Sequence, residues 1–150
     1  MPAPTARLRA LLATRQFIHM PAVYDPLGAR MVEQAGFPAV YVGGYVTGAS
    51  RSVTEPLLTM TEQVAVAGEA AAAIGLPVVA DAGAGFGEPL HVMRTVREFI
   101  RAGIAGIHIE DQLFPKRAHY HKYTAHAVPV EEFLLKIRYA CRARDATDRD

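Results

Sequence analysis

Two carboxylates in this sequence each follow a short apolar run, in a position that could support metal binding or acid–base catalysis. Asp81 ends the run that begins at Val78, and Glu110 ends the run that begins at Gly106. Such a run is typical of a buried strand in a parallel sheet, so a charge is expected only where the strand leaves the sheet. Either carboxylate alone could simply cap a helix or pair with a loop arginine. Together they predict one rim that can hold a hard cation or transfer protons.

The segment after Glu110 is a basic loop. Lys116 and Arg117 are followed by His119, His121, Lys122 and His126. The loop could be merely solvated, or it could clamp a substrate anion opposite the carboxylates, because a carboxylate substrate needs cationic partners. His119 and His121 could be a zinc pair, but no second pair of soft ligands is near, which argues against zinc.

The glycine-rich segment 83–87 does not match a nucleotide-binding motif. Glu88 stands where the third glycine of GxGxxG would be, and the segment lacks the lysine of a P-loop. Its glycines would instead let the backbone turn sharply beside the rim. The single cysteine, Cys141, falls on the last predicted helix rather than at a strand exit, so we interpret it as a packing residue.

These residues must be positioned by elements that alternate along the chain. Apolar patterns predict four strands, at 17–20, 39–42, 78–80 and 106–109. Capping and stop signals predict five helices, at 5–14, 26–36, 60–75, 89–103 and after Pro129. A long loop is expected after Gly44. The larger apolar residues are expected on the buried helix faces, among them Leu27, Met31, Val64, Leu90, Met93, Phe133 and Ile137.

Alternation of strands and helices predicts an α/β fold with a parallel sheet and right-handed crossovers. The pattern leaves two architectures open, a doubly wound sheet and a (β/α)8 barrel. A full barrel needs roughly 250 residues. The four βα units of this 150-residue chain would be about half of one.

Composition excludes several classes of protein. The chain is 51% hydrophobic and carries a net charge of +1, which is ordinary for a globular protein and offers no strong field for nucleic acid or an acidic membrane. The single cysteine rules out an internal disulfide framework. No apolar segment is long enough for a membrane span, and no signal peptide is recognisable, so a cytoplasmic location is expected.

Three segments taken together resemble the isocitrate lyase/phosphoenolpyruvate mutase superfamily. They are Tyr41-Val42-Gly43-Gly44, the segment from Ala80 to Gly87, and Ile109-Glu110-Asp111-Gln112 with Pro115-Lys116-Arg117. The resemblance spans essentially the whole chain. It implies a (β/α)8 TIM-type barrel, usually a homotetramer at full length, with Mg2+ at the carboxyl-terminal rim. Residues 1–150 would then be the N-terminal half of a single barrel domain, inactive and prone to aggregate or dimerise alone.

The resemblance also assigns roles to individual residues. It implies that Asp81 and Glu110 hold the metal, and that Gly43 and Gly44, beside Tyr41, hold a substrate carboxylate. It makes Lys116, Arg117 and a loop histidine such as His119 the catalytic groups. Three positions depart from the lyase pattern: Ala118 replaces the acid–base cysteine, Gly83 replaces a second aspartate, and Glu55-Pro56 only loosely replaces an acidic loop residue.

The function these assignments imply is Mg2+-dependent cleavage or decarboxylation of a small 2-oxo or 2-hydroxy carboxylate through an enolate. Two alternatives stay open. One is a phosphonate-metabolising mutase or hydrolase that uses the same rim. The other is a relative that binds a carboxylate without turnover. Since alanine cannot carry a proton, Ala118 predicts weak isocitrate or methylisocitrate cleavage unless another group, such as His119 or Tyr120, supplies the proton.

Overall fold

The computed structural model describes residues 2–116 and 126–147. Within them the chain forms a three-stranded parallel sheet and a set of helices. The strands are β1 (Val40–Val42), β2 (Val78–Asp81) and β3 (Gly106–His108). The α-helices are α1 (Pro4–Ala13), α2 (Pro26–Gln34), α3 (Gly44–Ser50), α4 (Met60–Ala73), α5 (Pro89–Arg101) and α6 (Val130–Thr147), with a 3-10 turn at Glu55–Leu57. In the described part of the chain, no helix is long and apolar enough to cross a bilayer.

Each strand of the sheet pairs with the next strand along the chain, in the order β1-β2-β3. Val42 lies opposite Ala80, and Asp81 lies opposite His108. Three parallel strands in this order occur both in a barrel and in one half of a doubly wound sheet. Their parallel pairing sends the ends of β2 and β3 to the same rim.

The prediction of a strand at 17–20 is wrong. Phe17 is 92% exposed, and the chain reaches the sheet only at a single parallel bridge between Ala22 and Tyr41. Val23 N donates to Tyr41 O at 2.9 Å, and Tyr41 N donates to Pro21 O at 3.0 Å. Proline has no N–H to extend a ladder, so the contact beside β1 stays short.

The helix starts predicted from capping signals are confirmed. Asp25 caps α2 by accepting from Gly28 N at 2.6 Å. Thr59 and Glu62 form a reciprocal capping box at the start of α4, with Thr59 N to Glu62 Oε2 at 2.8 Å and Glu62 N to Thr59 Oγ1 at 3.2 Å. These contacts lie within three residues of one another, which is why the sequence alone predicts them.

The loop predicted after Gly44 is instead the short helix α3. Two of its seven residues are glycines, which have low helix propensity and conceal the helix in the sequence. Tertiary contact explains one of them, because a Cβ at Gly48 would lie 2.9 Å from Val53 O. Thr47 Oγ1 donates to Gly43 O at 2.8 Å, and this bond helps to fix the first turn.

Several predicted helix faces are rotated in the structure. Leu27, Met31 and Leu90 are mostly exposed, whereas Ala29 is buried in α2. The buried positions of α5 are Val92, Thr95, Val96 and Phe99, and those of α6 are Lys136 and Ala143. Apolar residues occur on more than one side of these helices, so size alone misleads about which side meets the sheet. The main core lies between the strands and helices α2, α4 and α5, around Val40, Val42, Val78, Ala80 and Phe99.

Candidate active site

Asp81 is the last residue of β2 and is only 7% exposed. Its Oδ1 accepts from Gly83 N at 2.7 Å, and its Oδ2 accepts from Gly44 N at 3.0 Å. Burial acts to raise the pKa of this carboxyl, but hydrogen bonds from His108, Gly83 and Gly44 outweigh it and lower the pKa to about 2. Asp81 is therefore a fixed, ionised carboxylate at neutral pH.

Gly44 lets this part of the backbone approach two carboxylates at once. A Cβ added at position 44 would lie 2.9 Å from Asp81 Oδ2 and 2.9 Å from Glu55 Oε1. Both distances are shorter than van der Waals contact allows, so a side chain here would push the carboxylates away. The Gly44 amide itself is bonded to Asp81, which brings the start of α3 to the rim.

Glu110 follows β3 by two residues and is tied to the loop after β2. Its backbone N–H donates to Gly83 O at 2.8 Å. Its side chain meets Lys116, whose Nζ donates to Glu110 Oε1 at 3.1 Å and lies 3.0 Å from Oε2. The buried Oε2 has no hydrogen-bond partner. This oxygen is in ion-pair contact with Lys116 but accepts no hydrogen bond, so it has lone-pair capacity left for a further ligand.

Lys116 bridges two carboxylates. Besides Glu110, its Nζ donates to Glu55 Oε1 at 2.6 Å. Burial acts to lower the pKa of the ammonium, but the hydrogen bonds to Glu55 and Glu110 outweigh it and raise the pKa. Lys116 is therefore protonated at neutral pH, and it can act as a positive clamp or a proton donor rather than as a base.

His108 and Tyr41 form a stacked pair beside Asp81. Their ring centroids are 5.5 Å apart, with 16° between the ring planes. His108 Nε2 lies 3.3 Å from Asp81 Oδ1 and 3.2 Å from Tyr41 Oη. The hydrogen bond to Asp81 raises the pKa of His108. Burial and the nearby carboxylates raise the pKa of Tyr41, so its phenol keeps its proton.

Three of these side chains could hold a metal ion. Asp81, His108 and Glu110 each offer one ligand atom, and these atoms lie within 4.8 Å of one another. Carboxylate oxygens suit Mg2+, and Glu110 Oε2, which accepts no hydrogen bond, could be shared between such an ion and Lys116. A cavity of about 40 Å3 opens at this rim, lined in part by Gly44, Glu55, Asp81, Gly83 and Lys116. The residues present therefore fit a small divalent cation.

The sequence predicted much of this cluster. The structure brings Asp81, Glu110, Tyr41, Gly44 and Lys116 to one end of the sheet, with Gly43 buried next to Gly44. The predicted catalytic residues Arg117 and His119 lie outside the described residues, as does Ala118.

The sequence does not indicate the full role of two groups of the cluster. Its apolar pattern includes His108 in a strand, and only the register that sets it opposite Asp81 shows its place. The resemblance makes Glu55 only a loose replacement for an acidic loop residue, yet Glu55 makes the shortest contact to Lys116. The sequence indicates a role for Glu55 only through its position, as an acidic residue in the loop between two βα units.

Comparison with known proteins agrees with this fold and site. The family model described as phosphoenolpyruvate phosphomutase matches residues 8–150. The chain is 43% identical over 142 residues to a 2,3-dimethylmalate lyase of Eubacterium barkeri, covering 93% of this chain and 48% of the relative. The chain thus spans about half the length of the curated relatives it matches.

Solved structures give the same result. A phosphoenolpyruvate phosphomutase from Streptomyces platensis subsp. rosaceus matches with a TM-score of 0.89 and 38% identity, covering 95% of this chain and 50% of that one. A phosphonopyruvate hydrolase in complex with oxalate and Mg2+ matches with a TM-score of 0.88 and 32% identity, covering 99% of this chain and 50% of that one. The chain belongs to the phosphoenolpyruvate phosphomutase family, within the PEP mutase/isocitrate lyase superfamily and its TIM-barrel fold.

Proposed function

We propose that this chain carries the metal-binding half of an Mg2+-dependent enzyme that cleaves or decarboxylates a small 2-oxo or 2-hydroxy carboxylate through an enolate. The observation that carries the proposal is the cluster of carboxylates and a lysine at the ends of β2 and β3. There Asp81 and Glu110 approach each other, and Lys116 lies between Glu110 and Glu55. The family relationship to a 2,3-dimethylmalate lyase supports a carbon–carbon lyase reaction.

Asp81 and Glu110 would hold the Mg2+ ion, and His108 offers a third ligand atom at the same place. The bound ion would polarise the 2-oxo oxygen and stabilise negative charge as the enolate develops. Asp81 suits this role because the backbone amides of Gly44 and Gly83 fix its orientation and help to keep it ionised. A ligand held in this way loses little freedom when the metal binds.

The remaining groups would orient the substrate and handle its protons. The backbone amide of Gly43, with Arg117, would bind substrate carboxylate oxygens. The Gly44 N–H donates to Asp81, so Gly44 would border the substrate and hold the metal ligand. Lys116 would hold or donate a proton, because its ammonium is charged at neutral pH. His119 would be a further proton carrier, and Tyr41 would border the substrate.

We further propose that residues 1–150 form the N-terminal half of a single (β/α)8 barrel domain. In the described residues β3 pairs only with β2, which leaves its other edge open. Beside that edge lies a cavity of about 280 Å3, lined in part by Val96, Ile100, Ile107, Ile109 and Ile137. An open strand edge has unpaired N–H and C=O groups, and pairing with another strand would satisfy them and cover the apolar surface. The second half of a barrel would provide both a parallel strand and apolar side chains. Homotetramer formation at full length stays a prediction.

A phosphonate reaction is the second candidate. It is favoured by similarity to a phosphoenolpyruvate phosphomutase and a phosphonopyruvate hydrolase, both matched over 95% or more of this chain. The same carboxylates and lysine would serve either substrate class, since both require a metal-stabilised enolate-like oxygen and bound acidic groups. Assays on phosphonopyruvate followed by phosphorus NMR would separate this candidate from a carbon–carbon lyase.

Proton exchange tests whether the site forms an enolate. The full-length protein is incubated with pyruvate in deuterated water, and loss of the methyl proton signal is followed by NMR. We expect exchange that requires Mg2+ and stops when EDTA is added, because enolate formation labilises the proton next to the oxo group. Pyruvate that binds, as judged by saturation-transfer NMR, but does not exchange with Mg2+ present would instead support a non-catalytic carboxylate-binding protein.

A further inference from the structure

Lys136 is a buried lysine with no role in the site described so far. It lies on α6, which packs against α5, and it is only 5% exposed. It shares one face of the helix with Ala140 and Ala143, which lie four and seven residues further on. Among the described residues, its ammonium has one hydrogen-bond acceptor, the carbonyl of Ala84, at 3.2 Å.

Ala84 belongs to the loop that joins β2 to α5 beside the carboxylates. Four successive carbonyls of this loop each accept one hydrogen bond, and each bond has a different donor. Ala82 O accepts from Gly85 N at 2.9 Å and Gly83 O from Glu110 N at 2.8 Å. Ala84 O accepts from Lys136 Nζ at 3.2 Å and Gly85 O from Thr95 Oγ1 at 3.1 Å. The donors come from the loop itself, from the segment after β3, from α6 and from α5.

This loop needs support from outside. Gly83, Gly85, Phe86 and Gly87 all have positive φ, and Phe86 at +56° is a residue that rarely adopts this conformation. In the same loop, Gly83 N donates to Asp81 Oδ1 and Gly83 O accepts from Glu110 N. A shift of the loop would therefore move both carboxylates that are proposed to hold the metal.

A buried ammonium with a single neutral acceptor is costly to the fold. Lysine is seldom fully buried without a charged partner, because burying an unpaired charge costs free energy that burying an apolar side chain of the same length does not. The lysine is thus poorly explained by stability alone. A directed bond to the Ala84 carbonyl is something that an apolar side chain cannot supply.

We propose that Lys136 is a positioning residue for the metal-binding rim. It holds the Ala84 carbonyl, and with it the loop between β2 and α5 that is hydrogen-bonded to both Asp81 and Glu110. Its effect on metal binding rests on the proposed function. Its effect on the loop does not, because hydrogen bonds between protein atoms alone tie the loop to Asp81 and Glu110.

The test uses Lys136→Met, with Lys136→Arg as the conservative variant and Arg138→Met as a control for loss of an exposed charge on the same helix. Amide hydrogen exchange by NMR and thermal unfolding are measured on each. For Lys136→Met we expect exchange at the Gly83, Gly85 and Glu110 amides to accelerate at least about tenfold, as for loss of one hydrogen bond. The melting temperature should stay the same or rise. Lys136→Arg should restore slow exchange, and Arg138→Met should change neither quantity.

Unchanged exchange at those three amides in Lys136→Met would overturn the proposal. So would a variant that fails to fold, or one whose amides all exchange faster with a lower melting temperature, since Lys136 would then be an ordinary structural residue. A Mg2+ titration by calorimetry separates this proposal from the proposed function. We expect Lys136→Met to bind Mg2+ about 10- to 100-fold more weakly than the wild type. Wild-type protein that binds no Mg2+ would refute the metal site and leave the exchange result to decide the role of Lys136.

Discussion

An Asp81→Asn variant of the full-length protein is expected to lose more than about 10²-fold in kcat/KM, with a matching loss of Mg2+ affinity. Loss of a partner that only supports a metal ligand already costs about 10- to 100-fold, and Asp81 is proposed to be a ligand itself. The amide that replaces the carboxylate is neutral. It must also turn its NH2 group toward Gly44 N–H or Gly83 N–H, where only an acceptor fits. Steady-state kinetics over a range of Mg2+ concentrations measure the effect.

Asp25→Asn is a matched control for this variant. It makes the same chemical change at the cap of α2, where Asp25 accepts from Gly28 N and where asparagine caps as well as aspartate does. It should keep wild-type activity and Mg2+ dependence. An Asp81→Asn enzyme with normal rate and normal Mg2+ dependence would show that Asp81 is a structural carboxylate and not a metal ligand.

A Lys116→Met variant is expected to lose about 10²- to 10⁴-fold in kcat, the range for loss of a general acid–base group. The variant removes the ammonium that contacts Glu55 at 2.6 Å and Glu110 at 3.1 Å. Two carboxylates would then face the rim without a cation from the protein. We therefore expect Mg2+ affinity to be unchanged or tighter, while turnover falls. Parallel calorimetry and steady-state kinetics give the two quantities.

A loss of turnover without a loss of Mg2+ affinity distinguishes a catalytic lysine from a structural one. Arg94→Met, which removes an exposed charge from α5, serves as the control and should alter neither quantity. If Lys116→Met turned over normally, Lys116 would be only a counter-ion for Glu55 and Glu110. If it lost Mg2+ binding as well as turnover, the lysine would be holding the rim together rather than taking part in the reaction.

Local signals in the sequence predict the parts of this fold that depend on neighbouring residues. Helices α2 and α4 begin where expected, because their caps are contacts within three residues. Asp25 caps α2, and Thr59 with Glu62 caps α4. Asp81 and Glu110 were predicted at one rim because an apolar strand tolerates a charge only at its end, and the structure confirms that shared position.

The parts that the sequence could not predict depend on contacts between distant segments. His108 faces Asp81 only because β3 pairs with β2 in one particular register. The inward position of Lys136 depends on its hydrogen bond to the carbonyl of Ala84, a residue 52 positions away along the chain. The exposed Leu27 and Leu90 show the same limit, since the size of an apolar residue does not say which side of a helix meets the sheet.

The central claim is that Asp81 and Glu110 hold a divalent cation, and the most direct test is to locate that ion. Crystals of the full-length protein grown with Mn2+ and oxalate would be measured above the manganese absorption edge. We predict one anomalous peak at the ends of β2 and β3, bound to Asp81 and Glu110 directly or through water, because ions of this kind often keep part of their water shell. The peak should disappear in Asp81→Asn. A peak elsewhere, or none at saturating Mn2+ with Lys116 still bridging Glu55 and Glu110, would contradict the account.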